Sequence, residues 1–499
     1  MADRPATSHK EILRSSSIIG GSAVINIAVG LLKTKIVALI LGPAGLGLIV
    51  LLQNLMQTAA SIASLGLGQA GTRAVAEAGA AGDSVRIATV RRALSIGAAV
   101  LALVSALLIV AFSGALAEWM SPGSVSGSLV RWLAIGVAAT VAAQAQTALL
   151  MGHRRVGDLA RLSILSVIVS AVVGVLAVWW WREDGVVAFV LVQVLATFII
   201  GMVYVYRLPR APAAVVRAVE IVSELKSMIG FGAALTVAAI CVNAGQLFAR
   251  TLIQQQLGAE AVGLFQASWL ISVTYLGFVL QAMGTDFYPR IVAAAGDRPL
   301  LVRLVNEQIE VALLLSAPVL LGMLGLAPWL VRLLYSRAFD PAVAVLQWQV
   351  LGDVLKVASW PLGYLLLAIK ASRLFMVAEI ATIAVLVGLL WLLLPLMGLE
   401  ASGAAVLGMY LFYLPLVLGI AAVRVRFRPT SSTIALFATL AAACAAVMAL
   451  SRAVPLAGAA LGVTLALLAG GLGVIRLRDA LPGPVQRVVA MVSWLPDRR

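Results

Sequence analysis

Apolar runs broken by short polar connections recur along the whole chain. Fourteen of them are long enough to cross about 30 Å of hydrocarbon at roughly 1.5 Å per helical residue. They cover residues 15–41, 45–69, 93–113, 129–151, 162–181, 186–206, 228–257, 262–285, 308–326, 344–369, 374–395, 401–422, 432–450 and 455–475. Only helices or closed barrels satisfy backbone polar groups in lipid, and runs of this length are helical. The pattern therefore predicts an all-α, polytopic integral membrane protein of about 14 transmembrane helices, with both termini on one side. Composition points the same way: 62% of residues are hydrophobic, 11% are charged and mean hydropathy is +1.06, outside the range of soluble domains. The first run is too long for a signal-peptide core and a second span follows it at once, so no cleaved leader is expected.

Charge fixes the orientation. Arg4, Lys10 and Arg14 precede the first span, which holds the N-terminus in the cytoplasm. With that start, 27 of the 36 Lys and Arg residues fall on cytoplasmic segments and five on outer loops, Arg131, Arg182, Arg332, Arg337 and Arg452. Adding or losing one span would scramble that alternation. The net charge of +15 is thereby an orientation signal and implies no nucleic acid. Both termini are expected in the cytoplasm.

An internal repeat divides the spans. Ser17-Ile18-Ile19-Gly20 recurs as Ser227-Met228-Ile229-Gly230, and Leu41-Gly42-Pro43-Ala44-Gly45-Leu46-Gly47-Leu48 recurs as Leu257-Gly258-Ala259-Glu260-Ala261-Val262-Gly263-Leu264. Each copy of the second motif turns the chain between the first two spans of a six-span unit. Six is even, so both units enter the membrane in the same sense, as in parallel repeats related by an axis along the membrane normal. The expected organisation is an N-terminal lobe over 1–206, a cytoplasmic linker over 207–227, and a C-terminal lobe over 228–422. Two extra helices and a cytoplasmic tail occupy 423–499. Val215, Val219 and Val222 recur on one side of the linker, which suits a helix lying on the membrane surface. The tail after Arg478 is a second candidate for such a helix.

Polar residues inside the spans are the candidate chemistry, because a charge at the centre of a membrane helix costs about 2.5–3.5 kcal/mol on insertion scales. The first span of the N-terminal half carries Asn26, Lys33 and Lys35; that of the C-terminal half carries Asn243, Gln246 and Arg250. Aligned on the outer turns, Arg250 falls at the position of Thr34, so both halves place a cation at similar depth. Two readings follow: the lysines snorkel to the headgroups, or the cations line a polar cavity. Lys33 and Lys35 point to different sides of one helix, and the sequence does not choose between them. Asp353 and Lys356 stand at i, i+3 on one face of the tenth span, either as a neutralised structural pair or as a carboxylate that exchanges a coupling ion.

Other chemistry is missing from the pattern. No Walker motif, metal-ligand spacing or nucleophile–base pair stands out, so no cofactor, metal or catalytic residue is expected. Cys241 and Cys444 lie within apolar spans; His9 and His153 sit among basic residues at predicted membrane edges, as ordinary surface groups.

The opening run SSSIIGGSAVINIAVGLLKTKIVALILGPAGLGLI closely resembles the start of bacterial O-antigen translocases, polysaccharide flippases of the multidrug/oligosaccharidyl-lipid/polysaccharide exporter superfamily. The segment TDFYPRIVAAAGD at 285–297 looks like the close of the eighth span in those proteins. The resemblance covers twelve spans, and relatives with a further C-terminal pair exist. It implies a bacterial inner-membrane transporter, not an enzyme. Its implied substrate is an undecaprenyl-pyrophosphate-linked oligosaccharide, for O-antigen, lipopolysaccharide or enterobacterial common antigen assembly, moved by alternating access coupled to an ion gradient. Implied partners are membrane lipids and other polysaccharide-assembly membrane proteins. On that view Lys33, Lys35, Arg250 and Lys356, with Asn26 and Asn243, form a cationic substrate cavity, and Asp353 is the coupling site. A drug/cation antiporter of the same superfamily would share the fold but favour acids in its cavity. A polymerase or ligase acting on the same lipids would need a large outer loop, which the spacing of the spans does not allow.

Overall fold

The structure, a computed structural model, describes residues 6–123, 125–208 and 217–477. Arg4, Arg210, Val215 and the tail from Arg478 lie outside the described residues, as do the side chains of Lys10 and Arg14. Every regular element among the described residues is helical: α1 (Ala6–Ser64), α2 (Leu67–Ala80), α3 (Ser84–Ala111), α4 (Ser113–Met120), α5 (Gly127–Gly152), α6 (Val156–Trp181), α7 (Gly185–Tyr206), α8 (Ala218–Ala293), α9 (Arg298–Gly325), α10 (Ala327–Leu334), α11 (Ala342–Ala368), α12 (Ser372–Met397), α13 (Glu400–Val425), α14 (Ser431–Ala453) and α15 (Pro455–Leu477). Among the described residues ten helical stretches are long and apolar enough to cross a membrane, and two of them, 21–64 and 156–206, have length for two crossings each. The long helix α8 folds at Gly258 into two more. The expected fourteen spans are thus all present as helices, and the chain is a multi-pass membrane protein.

Both turns of the sequence repeat are helix kinks. Gly42 has φ 67° and ψ −169°, and Gly258 has φ 85° and ψ 177°, a conformation open in practice to glycine alone. The glycines five residues later have a different task. A Cβ on Gly47 would stand 1.9 Å from the Ala259 carbonyl oxygen, and one on Gly263 would stand 1.9 Å from the Pro43 carbonyl oxygen. Pro43 and Ala259 are equivalent in the repeat, as are Gly47 and Gly263. The contact is therefore reciprocal, each copy of the motif seating its second glycine on the other's backbone, as a two-fold relation requires. The second predicted span ends at Ser64, short of residue 69, because Leu65 (φ 46°) and Gly66 (φ 71°) both turn left-handed. Beyond them α2 is amphipathic and buries Leu67, Ala70, Gly71, Ala74, Val75 and Ala78 on one face.

By contact the chain divides into two compact units, Met1–Gly263 and Leu264–Arg499. Residues 218–258, most of which the repeat assigns to the C-terminal lobe and its linker, group with the first unit. There α1 packs on α5 and α6, α6 on α7, and α3 on α5. Leu67, Val75, Leu94, Leu150 and Met228 close the core at the end carrying the Arg-rich connections. In the second unit α11 is central, packed on α13 and α9. The C-terminal pair α14–α15 lies on α9, where Gly325 and Gly462 meet so closely that a Cβ on either falls within 3.0 Å of the other's Cα, the small-residue packing that lets membrane helices approach. At one end of this unit Arg452 reaches Gln347 at 3.1 Å and Glu400 at 2.9 Å, and Trp348 donates to Glu400 at 3.0 Å. These bonds tie α14 to α11 and α13.

Candidate functional site

The buried cation of the first span is held by two other helices. Lys33 is 9% exposed; its ammonium donates to Ser170 Oγ on α6 at 2.8 Å and to Gln193 Oε1 on α7 at 2.7 Å, and lies 5.0 Å from the centre of the Phe189 ring. One heptad earlier on the same face, Asn26 donates to Ser163 Oγ of α6 at 2.6 Å. Two polar pairs at matched seven-residue spacing thus fix the register of α1 against the parallel helix α6. Charge-assisted bonds and the aromatic face offset the burial of the ammonium. Lys35 is half-buried. Of the two readings open for Lys33, snorkelling does not apply.

Arg250 is 4% exposed, and its Nη1 donates to the Gln246 carbonyl at 3.2 Å and to Gln246 Oε1 at 3.4 Å, one turn back along α8. Nearby, Gln254 donates to Ser121 Oγ at 2.9 Å and Gln255 to the Trp119 carbonyl. These bonds fasten α8 to the end of α4.

A cavity of about 760 Å³ opens in the first unit between the last turns of α1, the start of α2, the second half of α5, the middle of α7 and residues 236–243 of α8. It lies at the end bearing the Arg-rich connections. Among the described residues nineteen line it; twelve of these have uncharged polar side chains and none is charged. Gln57, Gln69, Gln144 and Thr147 face it with no hydrogen-bond partner among the described residues. Asn243, also in the wall, donates to Ser61 Oγ at 3.0 Å and through its carbonyl accepts from Thr58 at 3.2 Å. Gln193 lines the cavity as well, so Lys33 stands directly behind its wall. Of the sequence candidates, Asn243 is a lining residue, Lys33 touches one, and Asn26, Lys35 and Arg250 are not among them.

In the second unit Asp353, 2% exposed, accepts from Ser272 Oγ at 2.5 Å and has the Lys356 ammonium 3.8 Å away. That ammonium lies 6.0 Å from the Tyr410 ring centre. Tyr410 meets Tyr413 edge-on at 6.4 Å, and Tyr413 donates to Glu379 at 2.8 Å. The structure brings Asp353 and Lys356 together as the i, i+3 spacing requires, and adds Glu379, Tyr410 and Tyr413 to them. Sequence reasoning passed over Glu379, although it stands as an acid inside the predicted span 374–395. The lining amides were also missed. They are scattered over three predicted spans, 45–69, 129–151 and 186–206, with no local spacing to connect one span's amides to another's.

A family model described as "Polysaccharide biosynthesis protein" matches residues 12–294, which contain the whole cavity. The chain is 25% identical over 423 residues to proteins named "Lipid III flippase" of Escherichia coli (strain K12) and Shigella flexneri, covering 82% of this chain and 98% of theirs. Its fold resembles an inward-facing multidrug resistance MATE family transporter of the MOP superfamily (TM-score 0.66, 16% identity, 83% of this chain and 98% of that one). It also resembles the lipid II flippase MurJ in an inward closed conformation (TM-score 0.65, 11% identity, 94% and 100%).

Proposed function

The chain belongs to the polysaccharide biosynthesis protein family, and from that premise we propose that it flips a lipid-linked oligosaccharide across the bacterial inner membrane. The substrate is an O-antigen or related repeat unit on undecaprenyl pyrophosphate, carried from the cytoplasmic to the periplasmic leaflet by alternating access. The observation that carries this reading is the cavity of about 760 Å³, walled by amides and hydroxyls and lying wholly within the family-matched residues. A vestibule of that chemistry suits a hydroxyl-rich headgroup, while the polyprenyl tail stays in lipid. The name shared by the relatives aligned over 98% of their length supports it.

In this reading Lys33, Lys35, Arg250 and Lys356 supply positive potential for the pyrophosphate, with Asn26 and Asn243 as polar neighbours, and Asp353 couples transport to an ion gradient. The two six-span lobes, 1–206 and 228–422, alternate in access, and the termini are cytoplasmic. Other polysaccharide-assembly membrane proteins hand over and receive the lipid. A drug/cation antiporter is disfavoured by the lining, which contains no acid to hold a cation.

The test is transfer of a fluorescent polyprenyl-pyrophosphate glycan in proteoliposomes under imposed H⁺ or Na⁺ gradients. The intact protein is expected to move the lipid. Asp353→Asn is expected to retain downhill flipping and lose its gradient dependence. No transfer under any gradient would overturn the reading.

A further inference from the structure

The orientation of one amide sets what the cavity can bind. A lysine ammonium only donates, so Gln193 must turn its oxygen toward Lys33, and that oxygen also accepts from Ser170 at 3.1 Å. The Nε2 of Gln193 is left to donate toward the cavity that this residue lines. Gln57, Gln69 and Gln144 add amides with no internal partner among the described residues, each offering both a donor and an acceptor. Four of the lining hydroxyls, those of Thr72, Thr140, Thr197 and Thr236, are occupied by carbonyls four residues back. The amides are therefore the main recognition groups, with alanines, Val194 and Met151 between them.

We infer that this cavity is a subsite for uncharged sugar residues, read by the amides of Gln57, Gln69, Gln144 and Gln193, and that Lys33 is a positioning residue that fixes the Gln193 amide. The inference rests on the flippase reading and deepens it. Paired hydroxyl and acetamido groups of a neutral glycan match amides that both donate and accept. A pyrophosphate or uronate binds best to Lys or Arg forks, and the lining presents neither. The Lys33 ammonium already makes two hydrogen bonds behind the wall.

The experiment is equilibrium binding of radiolabelled lipids to the purified full-length protein in detergent, followed by flipping of the same lipids in proteoliposomes. Three probes are compared: polyprenyl pyrophosphate bearing two neutral N-acetylhexosamines, the same lipid with a hexuronic acid in their place, and sugar-free polyprenyl pyrophosphate. The neutral glycolipid is expected to bind at least about tenfold more tightly than either other probe, with Gln57→Ala and Gln144→Ala each reducing that preference by about fivefold. Neither side chain has a hydrogen-bond partner among the described residues, so neither change removes a bond described in the fold, and thermal unfolding checks this. Gln193→Glu keeps an acceptor for Lys33 but replaces the inward donor with a carboxylate oxygen, and is expected to weaken binding of the acidic probe further while also reducing neutral-glycan affinity. Lys33→Met is expected to weaken binding of the neutral glycolipid more than that of the sugar-free lipid, a split that loss of helix packing alone would not give. Equal affinity for all three probes, or full preference in the Gln57 and Gln144 variants, would overturn the subsite. Preferential binding without any transfer would uphold the subsite and overturn the flippase reading instead.

Discussion

The reciprocal glycine contact between the two copies of the turn motif makes a quantitative prediction. In Gly47→Ala the new Cβ would sit 1.9 Å from the Ala259 carbonyl oxygen and 2.9 Å from the Gly263 nitrogen; in Gly263→Ala it would sit 1.9 Å from the Pro43 oxygen and 3.1 Å from the Gly47 nitrogen. Both obstacles are backbone, so no rotamer change relieves them, and the crossing helices must part by roughly 1 Å. A gap of that size forfeits about a quarter to a half of each dispersion contact across the crossing. Overpacking of this kind costs about 1–3 kcal/mol, and a backbone clash belongs at the upper end. Each substitution should therefore lower the unfolding midpoint in detergent by several degrees, and by similar amounts. The double variant should cost less than the two singles together, since one displacement makes room for both methyls. Gly30→Ala is the control: no atom lies within 4 Å of its Cβ position, and alanine is the better helix former by about 1 kcal/mol. Wild-type midpoints for both Gly47→Ala and Gly263→Ala, or a large effect at one glycine alone, would refute the reciprocal crossing.

Gly42→Ala and Gly258→Ala test backbone strain instead of space, because nothing lies within 4 Å of either Cβ position while φ is +67° and +85°. Each should cost about 1–3 kcal/mol, measured as loss of thermal stability with no such loss at Gly30→Ala. Between α10 and α11, Arg332 grips Asp340 through two bonds of 2.8 and 2.7 Å, and this hydrogen bonding holds the Asp340 carboxyl below its ordinary range. A depressed carboxylate stabilises the fold above its unfolded pKa of about 3.9 and loses that contribution as pH falls through its lower folded value. Asp340→Asn should therefore lower the unfolding midpoint only slightly near pH 7 for so exposed a pair, and the difference from wild type should shrink as pH falls below the ordinary carboxylate range.

The spans were legible because a membrane helix announces itself over some twenty apolar residues, and α5, α11 and α13 begin and end within a few residues of the expected limits. The repeated LG-x-x-x-x-G-L motif also carried its meaning locally, since a Gly-only backbone angle and a backbone-on-backbone contact both demand glycine at fixed spacing. Hydropathy says nothing about which face of a helix meets which neighbour. Lys33 and Lys35 could not be ranked for that reason: the choice depends on Ser170 and Gln193, 137 and 160 residues away. The short helices α4 and α10 were lost within or beside longer apolar runs, because their ends are set by a few backbone angles. Gln57, Gln144 and Gln193 gather into one cavity only through the packing of α1, α5 and α7.

The same physics explains why the cavity wall is neutral although the chain buries several charges. A cation in a membrane helix must find donors' partners within the protein, and the surest partners are on adjacent helices. Lys33 finds them on α6 and α7, Arg250 on its own preceding turn, and Lys356 beside Asp353. The Lys33 bonds, which cross between helices, also fix the register of α1 against α6 and withdraw that charge from open water. Amides bear no such penalty: an unpartnered glutamine at a wet wall exchanges bonds with water at little cost and with a sugar hydroxyl at similar strength. A flippase must release what it binds, and in the proposed subsite recognition by several individually weak amide bonds would give selectivity among sugars without the tight hold that a lysine in the wall would place on an anion. Placing the charges behind the wall and the amides on it reconciles a stable bundle with a headgroup that has to leave.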